Sequence, residues 1–572
     1  MTLREKAVRH LARHVEEILD KQDEHGVFWP DAYFVPAHNT DYQQFAYYPL
    51  AWLYVLEHPQ NPWRGNARLL KAVSRALRNN LKILRDDGEF QMSSHDQAPH
   101  WHANNWRGFS WLRTWELLRG RLEPALEAEC EAGLRKAFRA IEATARQQAG
   151  SAGFAVNHNC ANHPSWYLLA AYVLARAFAA RDAEAWAAAQ LERFCAAQHP
   201  AGVWYEHDGP ATVYQHVTMN ALSHYLALSG SPAARDALRR ALGFYRLFTY
   251  PNAHPAETLD GRVRYTGYVM SIPPSVWAHL PEGRAYLHFQ LDRLLEQPLG
   301  GGYQVHGGWL GLPFFTQFAR DLPEDEPAPE GLAPLAGDGA YDLPKLPVRV
   351  IKRGPWTVIV SGFTRPEQPG VRWTLDYQTH LSVFHERAGL ILGGGGGKRQ
   401  AALSLFTGGS RPLGLPCLAS RGSVEPAGPF AVRLKLAYDG FDAALEVAVE
   451  PDAVRLAACI ERAETARGPG LAPFHLQLPF LLKGEGAVTT GSGMKYELDL
   501  QQEILAERLG ERIGREGRFS ISGLADARAL LHFLPYNTHW RDGRYTPDKA
   551  LGLVAQPLNP GQPRELVVRA EG

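Results

Sequence analysis

"RDLPEDEPAPEGLAPLAGDGAYDLPKLP", residues 320–347, separates two stretches of chain with different hydrophobic periods. Its prolines, glycines and acids stiffen and solvate the backbone and discourage core packing. Residues 321–347 therefore read as an interdomain linker, with one domain over 1–320 and another over 348–572. At 572 residues the chain exceeds one ordinary core, as two or three domains require.

Ahead of the linker the period is helical. "ARLLKAVSRALRNNLKIL" (67–84) aligns Leu70, Val73, Leu77, Leu81 and Leu84, and "SPAARDALRRALGFYRLF" (231–248) opens with Ser231 as N-cap and Pro232 in the first turn. Similar segments recur near 108–119, 128–148, 165–180, 183–198 and 216–229. Many antiparallel helices in series predict an incomplete α/α barrel, or α/α toroid.

Beyond the linker the period moves toward two. "VRVIKRGPWTVIVSGF", "FAVRLKLAYDGFDAALEVAVE" and "FHLQLPFLLKG" predict strands separated by turns, hence a C-terminal antiparallel β-sandwich. The whole is a multidomain α+β chain. "GGGGG" at 393–397 lacks the following GK[ST] of a phosphate loop and leaves a strand with no helix behind it, so it reads as a flexible turn or a close backbone contact.

Lys plus Arg and Asp plus Glu each total 60, which gives no support for nucleic acid or an anionic membrane as main partner. Five cysteines without close pairs argue against a disulfide scaffold or zinc ribbon. Leu3, Ala7, Leu11, Val15 and Ile18 are spaced for an amphipathic helix, not for the apolar core of a signal peptide. The expectation is a cytoplasmic protein, or a processed periplasmic or secreted form; the oligomeric state stays open.

Polar residues of the helical half gather in the stretches 37–54, 93–111, 156–178, 203–225 and 252–268. Aromatics with amides and a few cations suit a sugar polymer, because pyranose faces pack on indole or phenol rings while hydroxyls bond to Asn, Gln and His. Trp101, Trp106, Trp166, Trp204 and Tyr205 are available for this or for the core. In "VNHNCANHPSWYLLAAYVLARAF" (156–178), Asn157 and His158 precede an apolar helix whose start is Asn162 and His163, ahead of Pro164. Tyr214 follows His158 by 56 positions, just after "EHDGPATV".

The Asn157-His158 pair, "EHDGP" at 206–210 and Tyr214 in "VYQH" resemble the heparinase II/III-like polysaccharide lyases and the related alginate and oligoalginate lyases. That resemblance implies a toroid followed by a β-sandwich, and an acidic polysaccharide or oligosaccharide as substrate. It implies Asn157, His158 and Tyr214 as the catalytic set, with Tyr214 as acid and either Tyr214 or His158 as base. Further substrate contacts are expected from Asn104, Trp106, Arg107, His207, Tyr265 and His380.

Such chemistry requires no cofactor. Some relatives bind a metal through the β-domain, where Asp376, His380 and His385 are the candidates for a structural divalent ion. Positions 380 and 385 fall on opposite faces of a regular strand, so joint ligation would need a bulge.

In a uronate polymer the C5 proton becomes removable once the adjacent carboxylate is neutralised. Asn157, helped by His158, Arg107 or His207, could supply that, at about 3–4 kcal/mol per donor in analogous oxyanion sites. The alternatives are a glycoside hydrolase or phosphorylase using carboxylates among Asp96, Glu206, Asp208, Glu257 and Asp260, a uronate epimerase, or a non-enzymatic carbohydrate-binding protein.

Overall fold

Helix α4 (Ala67–Lys82) carries the helical period, but its inward face is Leu69, Ala72, Val73, Ala76, Leu77 and Asn80. Leu70 and Leu81, expected at its centre, lie half-buried on the flank, because the smaller alanines complete the i, i+3, i+4 stripe. This computed structural model describes all residues except 29–45, 95–96, 151–161, 207–208, 261–264, 266, 268, 270–273, 298–307, 325–326, 365–378, 394–404, 409–416, 464–472, 483–485, 499–501, 534–550 and 572.

The chain forms two compact units: 1–208, 214–243 and 268–334 make the first, and 209–213, 244–267 and 335–572 make the second. The first contains α1 (Leu3–Ala12), α2 (Val15–Asp20), α3 (Tyr47–Val55), α4, α5 (Asn105–Leu118), α6 (Pro124–Ala149), α7 (Asn162–Ala177), α8 (Arg181–Ala196), α9 (Gln215–Ser229), most of α10 (Pro232–Leu247), α11 (Pro281–Glu296) and α12 (Gly308–Asp321). Thr2 and Glu5 form a reciprocal capping box on α1, and Ser231 Oγ accepts from Ala234 N at the head of α10. No described helix is long and apolar enough to cross a membrane.

An α/α toroid follows from how these helices pair. Helix α5 packs on α3 and α7, α9 on α7 and α12, and α12 again on α3, while α4, α6 and α8 pack outside them. The inner helices are buried on nearly every side, from Trp106 to Trp115 in α5 and from Pro164 to Ala175 in α7. A helix apolar all round belongs in the interior, and here neighbouring helices supply its cover.

The second unit is an antiparallel β-sandwich. One sheet orders 502–504, 528–533, 551–558, 474–481, 389–392, 381–385, 356–361, 348–353 and 339–342, with 406–407 also pairing 474–481. The other orders 421–428, 431–438, 441–449, 453–463, 564–570, 519–522, 512–515, 488–490 and 495–496. The edge strand 339–342 comes from the stretch read as linker and pairs with 348–353. Val432, Leu434, Leu436 and Tyr438 alternate inward from the second sheet and share a core with Ile351, Val358 and Val383 of the first. Residues 356–361 and 381–385 are buried on both faces. Part of the outer cover is the 244–267 segment of the same unit, where Tyr250 stacks on Phe384 at 4.4 Å.

Candidate active site

The inner helices α3, α5, α7 and α9 begin at one end of the helical unit. Tyr47, first in α3, donates to the carbonyl of Arg107 in the first turn of α5, at 3.4 Å. Trp106 of α5 meets the His163 ring of α7 at 5.0 Å. The Trp166 indole, in the first turns of α7, donates to the carbonyl of Val217 in the first turn of α9 at 2.9 Å. Tyr172 and Tyr225, each farther along its helix, touch at 5.2 Å, so α7 and α9 run parallel. Helix heads carry the positive end of the peptide dipole, so this end favours anions.

Tyr214 is the N-cap of α9 and half-buried, with its carbonyl accepting from Val217 N. Asn157 and His158 lie outside the described residues, as do His207 and Asp376. Asn162, the first described residue after that pair, is held by two bonds. Asn162, where α7 begins, donates from Nδ2 to Glu206 Oε1 at 2.5 Å and from its backbone N to Glu206 Oε2 at 3.3 Å. Both residues are buried. Asn162, four positions after His158 in the sequence, is thereby bonded to Glu206, eight positions before Tyr214.

Asn104 caps α5, its Oδ1 accepting from Arg107 N at 2.9 Å, and Trp106 packs among Phe314 and His163. Arg107 takes a place other than the expected carboxylate contact. Its side chain is fully buried, donates to Asn80 Oδ1 at 2.6 Å and lies over the Phe90 ring. An aromatic face and an amide oxygen thus hold this guanidinium inside the bundle.

Trp166 and Trp204 are core residues, and Tyr205 stacks on His199. Trp101 differs, being 38% exposed beside the Arg85 guanidinium. It lies on the hairpin 90–94/97–102, three residues ahead of the α5 cap Asn104.

In the second unit, the Tyr265 hydroxyl contacts His254 Nδ1 at 2.7 Å and Asn252 Nδ2 at 3.1 Å, and burial raises its pKa. His380 is 1% exposed and its Nδ1 meets the Ser361 carbonyl at 2.8 Å. Burial lowers its pKa to about 4, so the imidazole is neutral. His385 instead packs on Trp356, with Nδ1 facing the Arg387 and Ala388 amides. Among the described residues no three His, Cys, Asp or Glu side chains stand together as a metal set.

The described carboxylates of the hydrolase alternative are inward braces. Glu206 holds Asn162, Glu257 accepts from Tyr250 and Ser382, and Asp260 accepts from Thr212 and Val213. Each is at most 2% exposed. Asp96 and Asp208 lie outside the described residues. The braces escape local reading because each has a partner far along the chain, 44 positions away for Glu206, 125 for Glu257 and 48 for Asp260. A buried acid in "WYE" or "TLD" carries no local mark of its partner.

A cavity of about 380 Å³ opens between Ser223, Leu226, Arg235, Ser275, Val276 and Asp321. It adjoins the far half of α9, about 18 Å from Tyr214 at 1.5 Å per helical residue. It is therefore separate from the helix heads.

No protein-family profile matches the chain, and no curated protein matches it. Solved structures do. The chondroitin AC lyase of Streptomyces coelicolor A3, in complex with chondroitin sulphate, aligns over 99% of this chain and 79% of its own with a TM-score of 0.56 and 12% identity. A tyrosine-to-alanine variant of that lyase aligns over the same shares at 0.51 and 13%. A chondroitinase AC lyase studied as oligosaccharide complexes aligns over 99% of this chain and 82% of its own at 0.51 and 12%. At these identities the likeness is one of fold, a toroid followed by antiparallel sheets. These neighbours are chondroitin AC lyases and do not single out the heparinase II/III-like branch.

Proposed function

We propose that this protein is a polysaccharide lyase that cleaves a uronate-containing polysaccharide, foremost a glycosaminoglycan, by β-elimination. The observation that carries this reading is the double hydrogen bond between Asn162 and Glu206. It joins Asn162, four positions after His158, to Glu206, eight positions before Tyr214.

In this reading Asn157, with His158, holds the uronate carboxylate and stabilises the enolate-like charge that develops on it. The C5 proton passes to His158 or to the Tyr214 phenolate, according to the face that C5 presents. The C5–H electron pair becomes the C4=C5 double bond, the C4–O4 bond breaks, and the Tyr214 hydroxyl protonates O4. A new reducing end and a 4,5-unsaturated uronate result. No cofactor enters these steps.

The clustered heads of α5, α7 and α9 support an anionic substrate, and exposed Trp101 supports a sugar ring stacked beside them. The fold neighbours that bind chondroitin sulphate or oligosaccharides support the same class. Among the described carboxylates, Glu206, Glu257 and Asp260 give the hydrolase reading no support, being engaged and buried. The test is incubation with chondroitin sulphate, hyaluronan, heparan sulphate and alginate while following ultraviolet absorbance of the conjugated alkene. Absorbance growth is expected on at least one polymer, and its absence on every one would refute the proposal.

A further inference from the structure

We infer that Asp260 is a positioning residue for Tyr214, acting through the loop that delivers Tyr214 to the head of α9; this rests on the lyase reading above. Asp260 is 1% exposed, and its Oδ2 accepts from Thr212 Oγ1 at 2.7 Å and from Val213 N at 2.8 Å. Val213 is bonded directly to Tyr214, so the carboxylate fixes the peptide that aims the tyrosine.

Two further bonds hold Thr212. Its hydroxyl lies 3.0 Å from the Ala256 carbonyl, and its own carbonyl accepts from the Tyr245 hydroxyl. The hydroxyl has one proton for two acceptors, and the shorter contact is to the carboxylate.

The segment that supplies Asp260 is strained. Leu259 has φ of +73° and Ala253 of +67°, a region that residues with a Cβ rarely enter. Asp260 N closes a turn onto the Glu257 carbonyl at 3.0 Å. A γ-branched leucine in this conformation is held by its surroundings, and such strain concentrates where geometry must be exact to serve a site. Here the turn presents one carboxylate oxygen to two consecutive residues ahead of Tyr214.

The test compares Thr212→Val, Thr212→Ser and Asp260→Asn in the full chain, with 3-fluorotyrosine placed at position 214 for fluorine NMR. Thr212→Val should lower kcat on the polymer by about ten- to a hundred-fold while KM stays within about two-fold, because a misplacement near 1 Å costs that order of rate. Thr212→Ser should recover most of the rate, and Asp260→Asn should fall between the two. The fluorine resonance should move in Thr212→Val and return in Thr212→Ser. Should wild-type protein form no alkene on any uronate polymer, the lyase reading fails alone, and the resonance still decides whether this loop sets Tyr214. An unmoved resonance, or an unchanged kcat in folded Thr212→Val, would overturn the positioning role.

Discussion

Glu206 receives both the side-chain and the backbone N–H of Asn162, at 2.5 and 3.3 Å, and both residues are buried. The pair spans 44 positions and joins the start of α7 to the loop that leads to α9. A carboxylate at a helix head also meets the positive end of the dipole, which makes an acid suit this position better than an amide would.

Glu206→Ala should leave two buried donors without their acceptor and cost about 3 kcal/mol. Chemical denaturation reads that loss. Glu206→Gln keeps one acceptor and should cost about half as much. In both variants kcat on the polymer should fall more than KM rises, since the tie governs where the loops stand. Unchanged denaturation midpoints in both would mean that the bonds contribute nothing.

Tyr214→Phe removes one oxygen from a half-buried residue at a helix start, so the loss of stability should stay within about 1.5 kcal/mol, the net worth of one hydrogen bond. Loss of a general acid is worth about a hundred- to ten-thousand-fold in rate. Alkene formation should drop by that factor. Reducing sugar released without alkene absorbance, and undiminished in Tyr214→Phe, would point to hydrolysis instead.

Trp101→Ala should raise KM about five-fold and leave kcat nearly alone. The exposed ring contributes little to the core, while stacking a pyranose on it is worth about 1 kcal/mol. Trp204→Ala makes the contrast. That ring is buried against Phe194, so its loss should cost about 3–5 kcal/mol of stability before any effect on binding is seen.

Local pattern revealed the architecture because its signals are local. The shift of period across 320–347, the Ser231 cap and the alternation of Val432, Leu434, Leu436 and Tyr438 each need only neighbouring residues to be read. Tyr214 was legible as a residue at a loop-to-helix boundary for the same reason. Arg107 was not, since a cation among amides and aromatics has the same local appearance whether it faces a ligand or an interior Asn80 and Phe90. Asp260 and Glu206 looked like candidate acids, and only long-range pairing reveals them as braces. Strands 356–361 and 381–385 lack clean alternation because both faces are covered.

His380 makes stability depend on acid. Burial lowers its folded pKa to about 4 from 6.5, so the unfolded chain binds more protons between those values. Its contribution is complete above about pH 6.5 and is lost as pH falls toward 4. Between pH 7 and 4.5 the loss should be about 2.5 kcal/mol from this group. His380→Asn keeps a donor for the Ser361 carbonyl without titrating. The drop in urea midpoint across that window should therefore be smaller in the variant than in wild type, and equal drops would exclude His380 as the source.

Gly393 explains why a glycine run begins where it does. Its φ is +120°, and a Cβ there would stand 2.5 Å from Glu257 Oε1 and 2.9 Å from Ser382 Oγ. Those atoms are themselves bonded at 2.6 Å and buried, with Glu257 also accepting from Tyr250. Neither can retreat without breaking that network. Gly393→Ala combines backbone strain with overpacking and should cost about 2–4 kcal/mol. The double variant Gly393→Ala with Ser382→Ala relieves the contact to Oγ but leaves the one to Glu257, so it should recover little. Full recovery would place the clash on Ser382 alone, and an unchanged midpoint in the single variant would show that the close approach of this turn to Glu257 is absent in solution.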